Sequence, residues 1–287
     1  MLEGSVFVLI SLSPEEAGGL AEKHGKRKEP GKYYRKEGEE LRAILVPDAG
    51  DLVALAAAVS VSDGFCFISR ELNRSEAEIL LLLEASGRPG CVSSPDPEGL
   101  SRALRGMSIA GRIVGSGGEA VEFRRARNLG IGVIDEAFVV KGVGPVIVGF
   151  SFSAFSVHQK IRLVPSLKEA EIKSIQVLDE DYGEIGPGVR FGFALRGVEE
   201  KDIKSSYAVL ADGSVALTTR AEAVRLKLSP EASTLHAFIR GMKSFGRVDG
   251  SAVELNSPLP RIDDGVVFIN LNAPAGKPRV YGSGRVV

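Results

Sequence analysis

Tryptophan is missing from this sequence, and among its 287 residues histidine occurs three times and cysteine twice. His24, His158 and His236 lie far apart, with no cysteine at metal-ligand spacing, so no metal site is expected. Cys66 and Cys91 sit in separate apolar segments and read as buried thiols, which suits a reducing cytosol. Charge of either sign is not in excess: 36 Lys and Arg face 37 Asp and Glu. That balance excludes a bulk-cationic binder of DNA or RNA and leaves room for local basic patches. No apolar run approaches the roughly 18–20 residues of a membrane span. Met1-Leu2-Glu3-Gly4 carries an acid and no basic residue, so no secretory signal is read and the expected compartment is the cytoplasm.

What is abundant is glycine, with 34 residues, beside 14 prolines, as β-rich modules with many turns require. Residues 5–110 alternate strand and helix signals. Val6-Phe7-Val8-Leu9-Ile10 reads as a strand buried on both faces. Ser13-Pro14-Glu15-Glu16 then reads as a helix start with a capping box. Ala43–Val46, Phe65–Ile68 and Gly90–Ser93 continue the strands. Leu52–Val59, Ser75–Ala85 (capped by Ser75) and Pro97–Leu104 supply the helices. Such alternation implies parallel βαβ units. Gly115-Ser116-Gly117-Gly118 reads as a flexible joint or a hairpin turn. From about residue 130 the helix signal nearly vanishes, and short strands between Gly/Pro turns suggest two β-barrels.

The middle region carries a resemblance. Phe138-Val139-Val140-Lys141-Gly142-Val143-Gly144-Pro145-Val146-Ile147-Val148-Gly149 resembles the opening of the second domain of elongation factor Tu and of the selenocysteine-specific factor. Lys160 to Pro165 fits the next strand. Glu171-Ile172-Lys173-Ser174-Ile175-Gln176 is similar to the V-x-S-I-Q strand, and Gly186 to Val198 to the A-G-x-R-V-G-L-x-L-K-G-V stretch. Arg279 to Val287 resembles the third domain more weakly. Gly19-Leu20-Ala21-Glu22-Lys23-His24-Gly25-Lys26-Arg27 resembles a segment of archaeal elongation factor Tu domain 2 proteins, whose GTPase domain is eroded. The resemblance implies a degenerate GTPase-like α/β domain over 1–114, a domain-2-like barrel over 115–212 and a domain-3-like barrel over 213–287. It also implies a monomer.

A working GTPase needs a glycine-rich loop after its first strand, with Lys and Ser/Thr for phosphate and magnesium. Here Leu12-Ser13-Pro14-Glu15-Glu16 follows that strand: Pro14 has no amide to donate, and two carboxylates would repel a triphosphate. His24-Gly25-Lys26-Arg27 lacks the Ser/Thr and stands away from the strand. Asp48-Ala49-Gly50-Asp51 is one residue short of D-x-x-G-His, and Ser93-Ser94-Pro95-Asp96 replaces the guanine-reading N-K-x-D. The expectation is a pseudo-GTPase with no cofactor and no catalytic residue. The alternative is a GTP- and magnesium-binding factor of atypical design, with Lys26, Asp48 and Asp96 as its ligating residues; Asp48 equally suits a helix cap. A protein-binding scaffold is a third class.

In active members of the family the barrels and the GTPase domain grip the acceptor arm and charged end of an aminoacyl-tRNA, so the resemblance implies tRNA or the ribosome as partner. Two local features suit RNA. Lys23, Lys26, Arg27, Lys28, Lys32, Arg35 and Lys36 surround Tyr33 and Tyr34 where the family's first switch region lies, and read as a solvated basic loop. Cations there would neutralise phosphates and tyrosines would stack bases. Arg124, Arg125 and Arg127 form a second patch at the inter-domain join. Asp179-Glu180-Asp181 reads as an acidic turn.

Overall fold

The computed structural model describes all 287 residues, and it shows an α/β domain followed by two β-barrels. The first domain holds β1 (Glu3–Ser11), α1 (Pro14–His24), β2 (Lys26–Glu29), β3 (Lys32–Glu37), β4 (Glu40–Leu45), α2 (Leu52–Val61) and β5 (Gly64–Ile68). It continues with α3 (Arg74–Ser86), β6 (Gly90–Ser94), α4 (Pro97–Ala103) and β7 (Ile113–Gly115). Its sheet runs β2-β3-β4-β1-β5-β6-β7. The strands from β4 to β7 are parallel, and β2–β3 is an antiparallel hairpin added at one edge. The apolar run of β1 is buried on both faces: Val6, Val8 and Ile10 join the main core, while Phe7 and Leu9 join a smaller one with Ala21 of α1.

Two helix starts differ from the sequence expectation. The Ser13 side chain makes no bond to the helix backbone and donates instead to Glu15, so the capping box does not form. In α3 the cap is Asn73, whose side-chain Oδ1 accepts the Glu76 N–H at 3.0 Å, because the chain turns two residues before Ser75. The basic segment is not a solvated loop: residues 26–37 form the β2–β3 hairpin, turning at Gly31 with φ +69°. Pairing with β4 sets Tyr33 opposite Ile44 and Tyr34 opposite Ala43, and burial of those two rings holds the charged strand in place.

The middle barrel contains β8 (Ile131–Val140), β9 (Gly144–Phe152), β10 (Phe155–Ser156), β11 (Lys160–Val164), β12 (Glu169–Val177), β13 (Glu180–Tyr182), β14 (Glu184–Ile185) and β15 (Arg190–Arg196). A short α5 (Glu200–Lys204) leads to β16 (Ala208–Leu210). The order β11-β16-β8-β9-β15-β12 returns to β11 through the β11–β12 pairing, which closes the sheet on itself. The last domain is a closed barrel, β17 (Leu217–Arg225), β20 (Ala252–Pro260), β19 (Met242–Asp249), β18 (Thr234–Ile239), β21 (Val266–Ile269) and β22 (Val280–Val286) in spatial order. No helix is long and apolar enough to cross a membrane.

The three domains are joined by specific contacts. The Gly4 N–H donates to Pro187 O at 2.8 Å, and the Gly186 N–H donates to Leu2 O at 2.7 Å. A Cβ at either Gly4 or Gly188 would collide with the other residue's carbonyl, so this crossing of β1 and the middle barrel needs two glycines. On the other side Arg279 of the last domain donates to Glu78 of α3 through its amide at 2.9 Å and its Nε at 3.1 Å.

Candidate functional site

Open α/β sheets bind ligands beyond the carboxyl ends of their parallel strands. Here each of three strand ends carries a serine whose hydroxyl donates to an internal carboxylate. Ser11 bonds Glu16 at 2.8 Å, Ser69 bonds Glu76 at 2.5 Å, and Ser93 bonds Glu119 at 2.6 Å. Glu76 is buried and also accepts the N–H groups of Arg70 at 2.7 Å and Glu71 at 3.3 Å. Glu119 accepts the Gly117 N–H at 3.1 Å, and the Ser93 hydroxyl holds its carboxyl below the usual range. Glu16 pairs with Arg70. The hydroxyls at three strand ends are therefore engaged by the chain's own carboxylates.

The sequence candidates for a nucleotide are not brought together. Asp48 accepts the Gly50 N–H at 2.8 Å, while Asp51 caps α2 by accepting from Val53 and Ala54. Asp96 caps α4 through the Gly99 N–H at 2.9 Å. Lys26 lies on β2 at the sheet edge, and β3, β4, β1 and β5 separate it from the β6 strand that Asp96 follows.

The hairpin and the middle barrel enclose a cavity of about 510 Å³. Val140, Val146, Val148 and Phe191 form an apolar wall; Lys28, Tyr34, Ser174, Gln176 and Arg190 supply polar groups, with the carboxylates of Glu29 and Asp179 beside them. The Tyr34 hydroxyl and Arg190 Nε are buried and bond to nothing in the protein. Burial raises the Tyr34 pKa, so its hydroxyl stays a neutral donor. Arg190 is only 5% exposed, and its guanidinium lies 5.1 Å from the centre of the Phe150 ring. The register of β8 and β9 shifts between Ile134 and Glu136, and the bulge aims Asp135 at both Arg190 and Lys32. Lys32 Nζ sits 2.8 Å from both Glu29 and Asp135. Burial pushes the Asp135 carboxyl up, but Arg190 and Lys32 more than offset it and hold the pKa below the usual value.

A second groove of about 410 Å³ adjoins this cavity and shares Lys28, Tyr34 and Leu178 with it. Lys23, Lys26, Arg35 and Lys36 line it, with His24. Burial lowers the His24 pKa, aided by Arg35, Lys23 and Arg42, so the imidazole is neutral at neutral pH. Lys23, Lys26, Arg27 and Lys28 are exposed and make no ion pair.

Other members of the expected basic segment serve the fold. Tyr33 is packed with Phe7, Leu9 and Ile44, which leaves no ring face for a base. Tyr34 lines the cavity but is buried, hydroxyl included, so its ring offers no stacking surface. Lys36 pairs with Glu180 and lies 5.3 Å from the centre of the Tyr182 ring, so the acidic turn meets the hairpin of its own chain. The second patch is likewise paired internally: Arg124 with Glu122 at 3.4 Å, Arg125 with Glu3 at 2.9 Å and Arg127 with Asp263 at 2.6 Å. Two site residues escaped sequence reasoning, Arg190 and the half-exposed Phe138 on the cavity rim. Their signals were the Arg of the A-G-x-R stretch and an aromatic in a strand that looked uniformly apolar.

No protein-family model matches the chain. Among curated proteins, an uncharacterized protein of Methanocaldococcus jannaschii is 33% identical over 90 residues, 31% of this chain and 29% of that one. Elongation factor 1-alpha of Metallosphaera sedula is 36% identical over 72 residues, 25% of this chain and 17% of its own length. The selenocysteine-specific elongation factor of M. jannaschii is 38% identical over 71 residues, 24% and 15% of the two chains. The matched segments thus span less than a third of these relatives. Over nearly the whole chain, the fold matches translation elongation factor SelB from Methanococcus maripaludis. The TM-score is 0.76 for SelB bound to a GTP analogue, at 16% identity and covering 100% of this chain and 79% of SelB. A bacterial selenocysteine-specific factor gives 0.72 at 14% identity, covering 100% of this chain and 58% of its own.

Proposed function

We propose that the chain is a member of the translational GTPase superfamily, and that it is a translation-associated RNA-binding protein that neither binds nor hydrolyses GTP. The observation that carries the reading is the cavity between hairpin and barrel. It sets an apolar wall beside two buried, unpartnered donors, Tyr34 Oη and Arg190 Nε, and adjoins a groove in which Lys23, Lys26 and Lys28 are unpaired. A nucleotide at the end of an RNA strand has the matching parts: a flat apolar face, acceptor edges, and a phosphate backbone to run along the lysines. tRNA is the first partner to consider, because it is the ligand the superfamily resemblance implies, and the ribosome is the second.

The absence of nucleotide turnover rests on the three serine–glutamate pairs and on Pro14, which together remove the donors and add negative charge where a triphosphate would lie. The test is direct binding of unmodified tRNA and of single-stranded RNA at several salt concentrations, set beside calorimetry with GTP and magnesium. Salt-dependent RNA binding without GTP heat is the expected result. GTP binding with no RNA affinity overturns the reading.

A further inference from the structure

The chain's two cysteines, 25 positions apart in sequence, face each other: Cys66 on β5 is the direct register partner of Cys91 on β6. Neighbouring strands lie about 4.8 Å apart, inside the roughly 4.4–6.8 Å range of Cα separations that a disulfide bridges. Partners in register on parallel strands point to the same face of the sheet, and both thiols lie in the small core with Phe7 and Leu9. The two differ in access. Cys66 is fully buried, whereas Cys91 borders a cavity of about 100 Å³ lined by Pro89, Ala120, Glu122 and Arg124. That cavity lies under a segment, residues 118–129, that has no helix or strand and crosses the sheet with Phe123 packed on Phe7.

We propose that Cys91 and Cys66 form a peroxide-oxidisable dithiol, with Cys91 reacting first and Cys66 resolving it. The Cys91 thiolate attacks one oxygen of a hydroperoxide, the O–O bond breaks, and the leaving oxygen departs with a proton as water or alcohol. Cys91 is then a sulfenic acid. The Cys66 sulfur attacks it, an S–S bond forms, and the sulfenic oxygen leaves with the Cys66 proton as a second water. Two thiols are oxidised by two electrons and one peroxide is reduced by two, so the step balances. The asymmetry favours this order: Cys91 borders the cavity whereas Cys66 is fully buried, and the adjacent Cys66 lowers the Cys91 pKa while Cys91 and burial raise that of Cys66. Small peroxides fit the cavity, and larger disulfides do not. The assignment is independent of the RNA reading, since neither cysteine borders the groove.

The test uses the whole protein with hydrogen peroxide, followed by intact mass and thiol titration after denaturation. The expected result is a mass lower by two hydrogens, free thiols falling from two to none, and a single linked peptide pair holding Cys66 and Cys91, all reversed by dithiothreitol. Two thiols still free, added oxygen without a linkage, or covalent dimers would overturn the proposal. A Cys66→Ser variant should leave a dimedone-reactive sulfenic acid at Cys91, while Cys91→Ser should leave Cys66 untouched at the same peroxide dose. The reverse pattern would refute the assigned order. The wild-type mass measurement stands even if either variant does not fold.

Discussion

Arg240 and Asp63, 177 positions apart, meet at 2.7 Å where all three domains converge. Arg240 lies at the end of β18 and is 1% exposed, with φ +46°. Its guanidinium also pairs with Asp264 and lies 4.5 Å from the centre of the Phe152 ring of the middle barrel. Arg88 holds the other side of Asp264 at 2.9 and 3.1 Å and donates to Ser60 O at 2.8 Å. Asp63 accepts the Val6 N–H at 3.0 Å, so the cluster is anchored in β1. Removing one member of a buried ion pair leaves the other charge unpaired, which typically costs about 3–5 kcal/mol. Arg240→Ala should therefore lower stability to denaturant by that order and loosen the first domain from the last. A loss under about 1 kcal/mol would mean that the pair contributes little.

The same interfaces set a pH response. Burial alone raises the pKa values of Asp264, Asp135 and Glu78, yet in each case neighbouring arginines, joined at Asp135 by Lys32, more than reverse it. A carboxylate with a depressed folded-state pKa adds stability above its unfolded pKa and loses it as pH falls through the folded one. The ordinary values are 3.8 for Asp and 4.5 for Glu, so the thermal midpoint should fall as pH drops below that range. Asp63 works in the opposite direction and in a higher window: burial raises its pKa despite Arg240, so its protonation adds stability as pH falls toward 3.8, before the acid limb begins. Asp135→Asn should flatten the acid limb of a midpoint-versus-pH curve. An unchanged slope would assign the response to other groups.

Magnesium with millimolar GTP should leave the thermal midpoint where it is. A ligand bound only by the folded state adds about 2.7 kcal/mol when present at a hundred times its Kd, so even modest affinity would be visible as a shift. Glu16, Glu76 and Glu119 engage the strand-end serines, and a triphosphate would have to displace them against their own charge. A magnesium-dependent rise, confirmed by calorimetry on nucleotide-free protein, would restore the GTP-binding alternative and bring Lys26, Asp48 and Asp96 back into consideration.

How far the sequence revealed these features differs by element. Val6 to Ile10, the Leu52 and Ser75 helices and the glycine-punctuated barrel strands were legible because local periodicity and turn chemistry agree with the tertiary packing. The hairpin was not, because Lys26 to Glu37 is dominated by charge and only Tyr33 and Tyr34 face inward, through pairing with β4. Lysines on an edge strand also guard it against pairing with other chains, so the same residues read equally well as a solvated loop. The serine–glutamate pairs were hidden for a different reason. Ser93 and Glu119 are 26 positions apart, and no local pattern announces a contact of that length. Arg190 looked like a barrel residue, and only the fold shows it beneath the hairpin from the other domain.

Backbone contacts and pocket contacts make separable demands on RNA binding. Each phosphate neutralised on a single strand contributes a slope of about 0.7 in the logarithm of affinity against the logarithm of salt. Replacing Lys26 and Arg27 with alanine should weaken RNA binding and reduce that slope while leaving the thermal midpoint unchanged, since neither side chain is buried or ion-paired. Affinity unchanged at low salt would remove the hairpin from the interface.

Tyr34→Phe makes the complementary change. It deletes a buried hydroxyl that has no partner in the protein, so the folded state loses no hydrogen bond and stability should hold or rise. If an RNA end uses that hydroxyl, affinity should fall by the equivalent of one hydrogen bond, about 0.5–1.5 kcal/mol or roughly two- to thirteen-fold, with the salt slope untouched. A residue with a purely packing role would leave affinity alone. Fluorescence anisotropy on labelled RNA across a salt series reads both quantities in one experiment, and equal affinities for Tyr34 and Phe at that position would leave the cavity without a role in RNA binding.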